Sequence, residues 1–127
     1  MCQPDPDQQP RLFVDPGEDR RGYVYLLIAH TRAAFKVGYT ADSPRRRGGE
    51  LRRDGQMLCW WPGDQFDERR LHHELEPYRL PGNREWFEVR AATMPFLLGQ
   101  CQRYDFPQGV RLLQALAREC FPGLVAA

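Results

Sequence analysis

The 127-residue chain carries 18 cationic and 17 acidic side chains for a formal net charge of +1, with 42% hydrophobic and 12% aromatic residues. This composition supports one packed core and excludes both a wholly disordered chain and two full domains. The longest apolar run is far below the ~20 residues of a membrane span, the first ten residues lack the basic start and apolar core of a signal peptide, and the cysteines at 2, 59, 101 and 120 form no C-x-x-C pair. The expectation is a cytoplasmic protein with free thiols and no membrane partner.

Charge is distributed unevenly. Residues 1–20 read as an acidic, proline-rich, mobile tail whose one apolar cluster is Leu12-Phe13-Val14. Residues 20–53 then hold nine cationic side chains against Asp42 and Glu50, a net of +7. Such a block suits a polyanion, most commonly a nucleic acid, although a solvated arginine face has the same composition.

The first β-rich run is GYVYLLIA from Gly22, and AFKVGYT follows it after the polar turn His30-Thr31-Arg32. The pair predicts a β-hairpin. Alternation puts Tyr23 and Tyr25 on one face of the first strand, and Lys36, Gly38 and Thr40 on one face of the second. If the two faces coincide, phenols, an ammonium and a bare glycine backbone lie together; ordinary packing aromatics would give the same pattern.

Asp42 or Ser43 can cap a helix with Pro44 in its first turn, reaching about Arg53 and weakened by Gly48-Gly49. After the Asp54-Gly55 turn, MLCWW reads as a third strand that ends at Pro62-Gly63. Asp64 caps a second helix, Gln65 to Glu76, closed by Pro77. On it Glu68, Leu71, His72 and Leu75 share a stripe, so two leucines carry a carboxylate and an imidazole toward the sheet. A buried glutamate must be paired, protonated or metal-bound. An arginine partner for Glu68 and a half-exposed His72 would satisfy the same stripe, and His72-His73 lacks a third ligand at zinc-like spacing.

Residues 85–89, EWFEV, read as a strand or an extended packing segment, with Trp86 and Phe87 over the core. Thr93 caps a third helix near Pro95, and a fourth runs from about Gln108 to Cys120. These last two either close the core or present an apolar face to a second copy as a homodimer. The expected fold class is α+β: a small, three-stranded, mainly antiparallel sheet flanked by helices, in a core of residues 21–90 with a packed helical extension at 91–127.

With these residues placed, the chain resembles the GIY-YIG nuclease superfamily over about Gly22 to Val89, in the phage and bacterial branch that carries E-x-x-L-H and E-W-F motifs. Tyr23-Val24-Tyr25 stands at the first motif and Lys36-Val37-Gly38 at the second, with ten residues between Tyr25 and Lys36. Arg46, eight residues after Gly38, stands at the catalytic arginine; Glu68 and His72 fall in the E-x-x-L-H helix, and Glu85-Trp86-Phe87 matches the closing motif. Tyr23 replaces the first-motif glycine and Lys36 the second-motif tyrosine. Lys36 is the one lysine among the 18 cationic residues, which places a compact, movable ammonium where every other cation is a guanidinium.

The resemblance implies a metal-dependent endonuclease acting on DNA, with RNA as the alternative, through a single Mg²⁺ or Mn²⁺ ion. Tyr25 would help activate water beside Lys36, Arg46 would hold the scissile phosphate, and Glu68 would bind the ion. His72 would orient a metal water, donate to phosphate or shuttle a proton. Tyr23, Arg45, Arg47, Arg52 and Arg53 would contact nucleic acid. The rival readings are a binding module of the same fold that does not cleave, and a dimeric scaffold.

Overall fold

The computed structural model describes residues 22–126. The expected tail and its Leu12-Phe13-Val14 cluster lie outside the described residues. Two long strands, β1 (Gly22–Ala29) and β2 (Ala34–Thr40), form the expected hairpin. Arg32 takes a φ of 63° in the turn between them. The chain then forms α1 (Pro44–Glu50), β3 (Gly55–Gly63), α2 (Gln65–Glu74), a 3₁₀ turn at Glu76–Tyr78 and β4 (Trp86–Glu88). It ends in α3 (Met94–Arg103), α4 (Pro107–Cys120) and α5 (Pro122–Ala126).

The sheet has four antiparallel strands in the order β3-β1-β2-β4. It is one strand wider than the three expected, because Trp86–Glu88 pairs with Ala34–Lys36 and so acts as a strand. The continuous apolar sequence of β1 follows from its central position: it is covered on both faces and has no side facing water.

Val24, Leu26 and Ile28 point into the larger core, together with Phe35 and Val37 from β2. Helices α3 and α4 cover this face with Met94, Leu97, Cys101, Leu113, Leu116 and Ala117, joined by the partly buried Leu71 of α2 and by Leu75 just past its end. Full burial of one such leucine or methionine contributes on the order of 1.5–3 kcal/mol. The register slips between Leu26 and Leu27, so that Cys59 opposes the first and Met57 the second. Leu58 is the extra residue of this bulge, and both Leu58 and Cys59 join the larger core. On the opposite face Tyr25 and Leu27 pack with Leu51, Met57, Trp60 and Trp86.

Several helix boundaries differ from expectation. Ser43 is the cap of α1, its Oγ accepting from the Arg46 amide at 3.4 Å, but the helix stops at Glu50 rather than Arg53. Leu51 is buried, and its carbonyl accepts from the Asp54 and Gly55 amides, which turn the chain back into β3. Strand β3 runs through Pro62 to Gly63; an edge strand tolerates a proline because one side of its backbone pairs with nothing. Asp64 caps α2 in a reciprocal box with Asp67, and Pro77 sits in the separate 3₁₀ turn. Helices α3 and α4 spend their apolar faces on the core. The large apolar side chains most exposed among the described residues are Phe66 and Leu124.

Candidate nucleic-acid and phosphate site

The hairpin register decides how the candidate residues meet. Tyr23 lies opposite Thr40, Tyr25 opposite Gly38 and Leu27 opposite Lys36, so the two faces distinguished in the sequence are one face. Tyr25 lies directly over Gly38: a Cβ built there would stand 2.3 Å from both the phenol oxygen and Cζ. Only glycine leaves room for the ring in this position. Both Tyr23 and Tyr25 are buried, at 5% and 1% exposure.

Strand β4 pairs with β2 as far as Lys36, and a last ladder bond runs from the Val37 amide to the Glu85 carbonyl at 3.2 Å. Beyond that bond the edge of β2 is free of β4, and helix α2 comes to it. The His72 Nε2–H donates to the Val37 carbonyl at 2.7 Å, and the ring packs on Phe87 with centroids 5.5 Å apart. A carbonyl acceptor requires the proton on Nε2, so that nitrogen is committed to the backbone. One turn earlier on the same helix stands Glu68, half-buried. Its carboxylate has no hydrogen bond or ion pair among the described residues.

Burial, the largest cause, raises the Glu68 carboxyl from its ordinary value. His72, Arg69 and Lys36 oppose the rise and the charge of Glu85 adds to it. The Lys36 ammonium reaches Glu85 at 3.5 Å, with 14% of its side chain exposed. Lys36, Glu68, His72 and Glu85 therefore act electrostatically on one stretch of the β2 edge, with Tyr25 behind it over Gly38.

Arg46 is not drawn into this group. Its guanidinium lies on the exposed side of α1, 3.0 Å from Asp42 and 3.9 Å from Glu50. Its neighbour Arg47 turns toward the sheet. Interaction with the Tyr25 phenol, ahead of that with Glu50 at 3.0 Å, holds the Arg47 guanidinium above its ordinary value. The Arg47 Nε is buried without a hydrogen-bond partner among the described residues. Arg45, Arg52 and Arg53 are exposed and form no ion pair among the described residues.

Two residues gain a place that sequence reasoning does not give them. In the sequence Glu85 figures only as part of a motif, and its signal is its position beside Trp86, the residue that pairs with the chain's one lysine. Arg47 reads there as a nucleic-acid contact; its approach to Tyr25 depends on the angle of α1 over the sheet, which no spacing encodes. Among the described residues no three histidine, cysteine, aspartate or glutamate side chains group as a ready metal cage.

No helix among the described residues is long and apolar enough to cross a membrane. Comparison with curated proteins returns no match, and neither does comparison with solved structures. Comparison with protein families matches residues 22–98, from the first strand into α3, to the T5orf172 domain. That stretch holds the whole sheet, both helices that carry candidate residues and every candidate site residue, and it makes the chain a member of the T5orf172 domain family, which is found in nuclease-like proteins of phages and bacteria.

Proposed function

We propose that the protein is a GIY-YIG-type endonuclease that hydrolyses phosphodiester bonds of DNA with one Mg²⁺ or Mn²⁺ ion. The observation that carries this reading is Glu68, a half-buried carboxylate without a partner among the described residues, held where a second carboxylate and an ammonium act on it. Burial and a like charge both disfavour the ionised form, and a divalent cation relieves both. A single glutamate is a sufficient protein ligand for Mg²⁺, which keeps several of its waters. Held there, the ion would supply Lewis acidity to the phosphate and the leaving oxygen.

The chain's own groups divide the remaining work. Hydrolysis needs an attacking water held and deprotonated, and positive charge on the phosphate oxygens. Lys36, steadied by Glu85, places an ammonium beside the open edge of β2. Tyr25 and Arg47 stand together behind it as a phenol and guanidinium pair. Arg46 must leave Asp42 to reach a phosphate, and such an exposed pair is worth only about 0–1 kcal/mol, so a phosphate competes for it readily. His72 is a positioning residue: its bond to Val37 fixes α2 against the sheet and so sets the place of Glu68.

A second reading has its own support. The pairs Arg46–Asp42 and Lys36–Glu85 engage the two cations assigned to chemistry, and Tyr25 is buried, as suits a module that binds nucleic acid without cleaving it. Incubating the purified protein with supercoiled plasmid, with and without Mg²⁺, separates the two. Nicking that requires the metal supports the enzyme; retention of the plasmid on the protein, indifferent to Mg²⁺ and with no nicked product, leaves only the binder.

A further inference from the structure

We infer that the groove between α1 and β3 is a nucleobase pocket that takes one unpaired base of the nucleic-acid partner. The inference rests on the nucleic-acid reading above but not on cleavage. The groove has a volume of about 470 Å³, within the range of sites that hold small organic ligands. Trp60 and Met57 form its apolar side, and the bare backbone of Gly48 and Gly49 forms part of the wall opposite. Trp60 is fixed in orientation by an edge-to-face contact with Phe106, ring centroids 4.5 Å apart at 68°.

Two adjacent glycines inside a helix cost about 1 kcal/mol each relative to alanine. At these two positions α1 presents no side chain to the groove: a Cβ built at Gly48 would come within 3.4 Å of Met57 Cε, and one at Gly49 would meet nothing within 4 Å. The open space beside Gly49 is where a flat ring has room to enter. Arg45 and Arg52 stand at the lining, without ion pairs among the described residues, and no carboxylate lines the groove. The His30 Nε2–H donates to the Arg52 carbonyl at 2.8 Å, which ties this segment to the end of β1.

An indole and a thioether favour a planar apolar body, and two guanidiniums without ion pairs among the described residues favour the phosphates on either side of it. Nucleobases in an intact duplex are stacked and do not reach such a groove; an unpaired base does. The recognised feature is thus a bulged or single-stranded nucleotide.

The test is fluorescence anisotropy in the absence of divalent metal, using a labelled DNA duplex with one unpaired adenine and the same duplex fully paired. The wild-type protein is expected to bind the bulged duplex about tenfold more tightly, the scale of one base–aromatic stack. Trp60→Leu and Gly49→Leu are each expected to bring the two affinities together. Gly49→Leu adds its side chain to open space and strengthens the helix, so it keeps the fold, which thermal melting by circular dichroism verifies. Equal wild-type affinities, or a folded Gly49→Leu protein that retains the preference, overturn the pocket. A groove-dependent preference without Mg²⁺-dependent nicking upholds the pocket and removes the nuclease; Glu68-dependent nicking without the preference does the reverse.

Discussion

The ring of Tyr25 occupies the space that a side chain at Gly38 would fill, 2.3 Å from the phenol oxygen to the imagined Cβ. The ring is 1% exposed and belongs to the cluster of Leu27, Leu51 and Trp86, so moving it aside means repacking that cluster. Gly38→Ala is expected to destabilise the fold by about 1–3 kcal/mol, the usual range for overpacking a core. In a Tyr25→Ala background the same change should cost much less. Urea denaturation of the four proteins of this cycle measures the coupling; a Gly38→Ala penalty that is the same with and without the tyrosine ring contradicts the close approach.

His72 presents a second pairing across the sheet edge. Val37 is fully buried and its carbonyl accepts from the imidazole at 2.7 Å. His72→Ala leaves that carbonyl without its side-chain partner, at a cost of about 1–3 kcal/mol. It should also loosen Glu68, so nicking falls by more than the loss of folded protein explains. Stability and nicking rate measured on the same preparation test both halves; a variant of unchanged stability means the bond is not formed in solution.

The burial of Glu68 has a consequence for stability against pH. Its carboxyl is raised from the ordinary value by burial first, with Glu85 adding to the rise. The folded state therefore binds the proton more tightly than the unfolded chain. The stability contributed by the protonated form is fully present below the unfolded carboxylate range and is lost as pH rises through the folded value. In metal-free buffer Glu68→Gln should then raise the melting temperature at neutral pH, with the gain vanishing in acid below the ordinary carboxylate range. A gain that is constant with pH, or a loss at neutral pH, contradicts the electrostatic assignment.

The arginines that carry no ion pair among the described residues are expected to act on nucleic acid through charge alone. Replacing Arg45, Arg52 or Arg53 by alanine should weaken binding to paired duplex and lower the slope of log affinity against log salt by about 1 for each phosphate no longer neutralised. Arg46→Ala and Lys36→Ala should instead lower the nicking rate by ~10²-fold or more, with a smaller effect on affinity. Salt-dependent binding and single-turnover nicking separate the two groups, and a Lys36→Ala protein that nicks at the wild-type rate removes that residue from the chemistry.

Much of the fold is legible in residue pattern alone. The hairpin, the Asp64 cap and helices α3 and α4 follow from alternation, turn residues and helical periodicity, all of which are local, whereas the shared face of the two strands needs the register and α5 is not among the elements expected from the sequence. The fourth strand is ambiguous in the sequence because three residues of β4 carry too little pattern to separate a strand from a packed segment. The end of α1 falls earlier than its residues suggest because a buried Leu51, a tertiary matter, stops the helix before the arginines run out. At the candidate site, strand and helix periodicity point Glu68 and His72 toward the sheet, where they meet Lys36, while Tyr25 lies on the α1 side of the sheet; side-chain direction is not written in spacing. The choice between Arg46 turned to Asp42 and Arg47 turned to Tyr25 depends on how α1 is rotated over the minor core, and the role of Glu85 on where a short strand happens to begin.

The most direct measurement is the Mg²⁺-dependent nicking rate of Glu68→Ala beside the wild-type protein, both shown to be folded by circular dichroism. The expected result is a loss of ~10²-fold or more in the variant with plasmid binding retained. Nicking by folded Glu68→Ala at the wild-type rate would contradict the assignment of this carboxylate to the metal, and with it the proposed site.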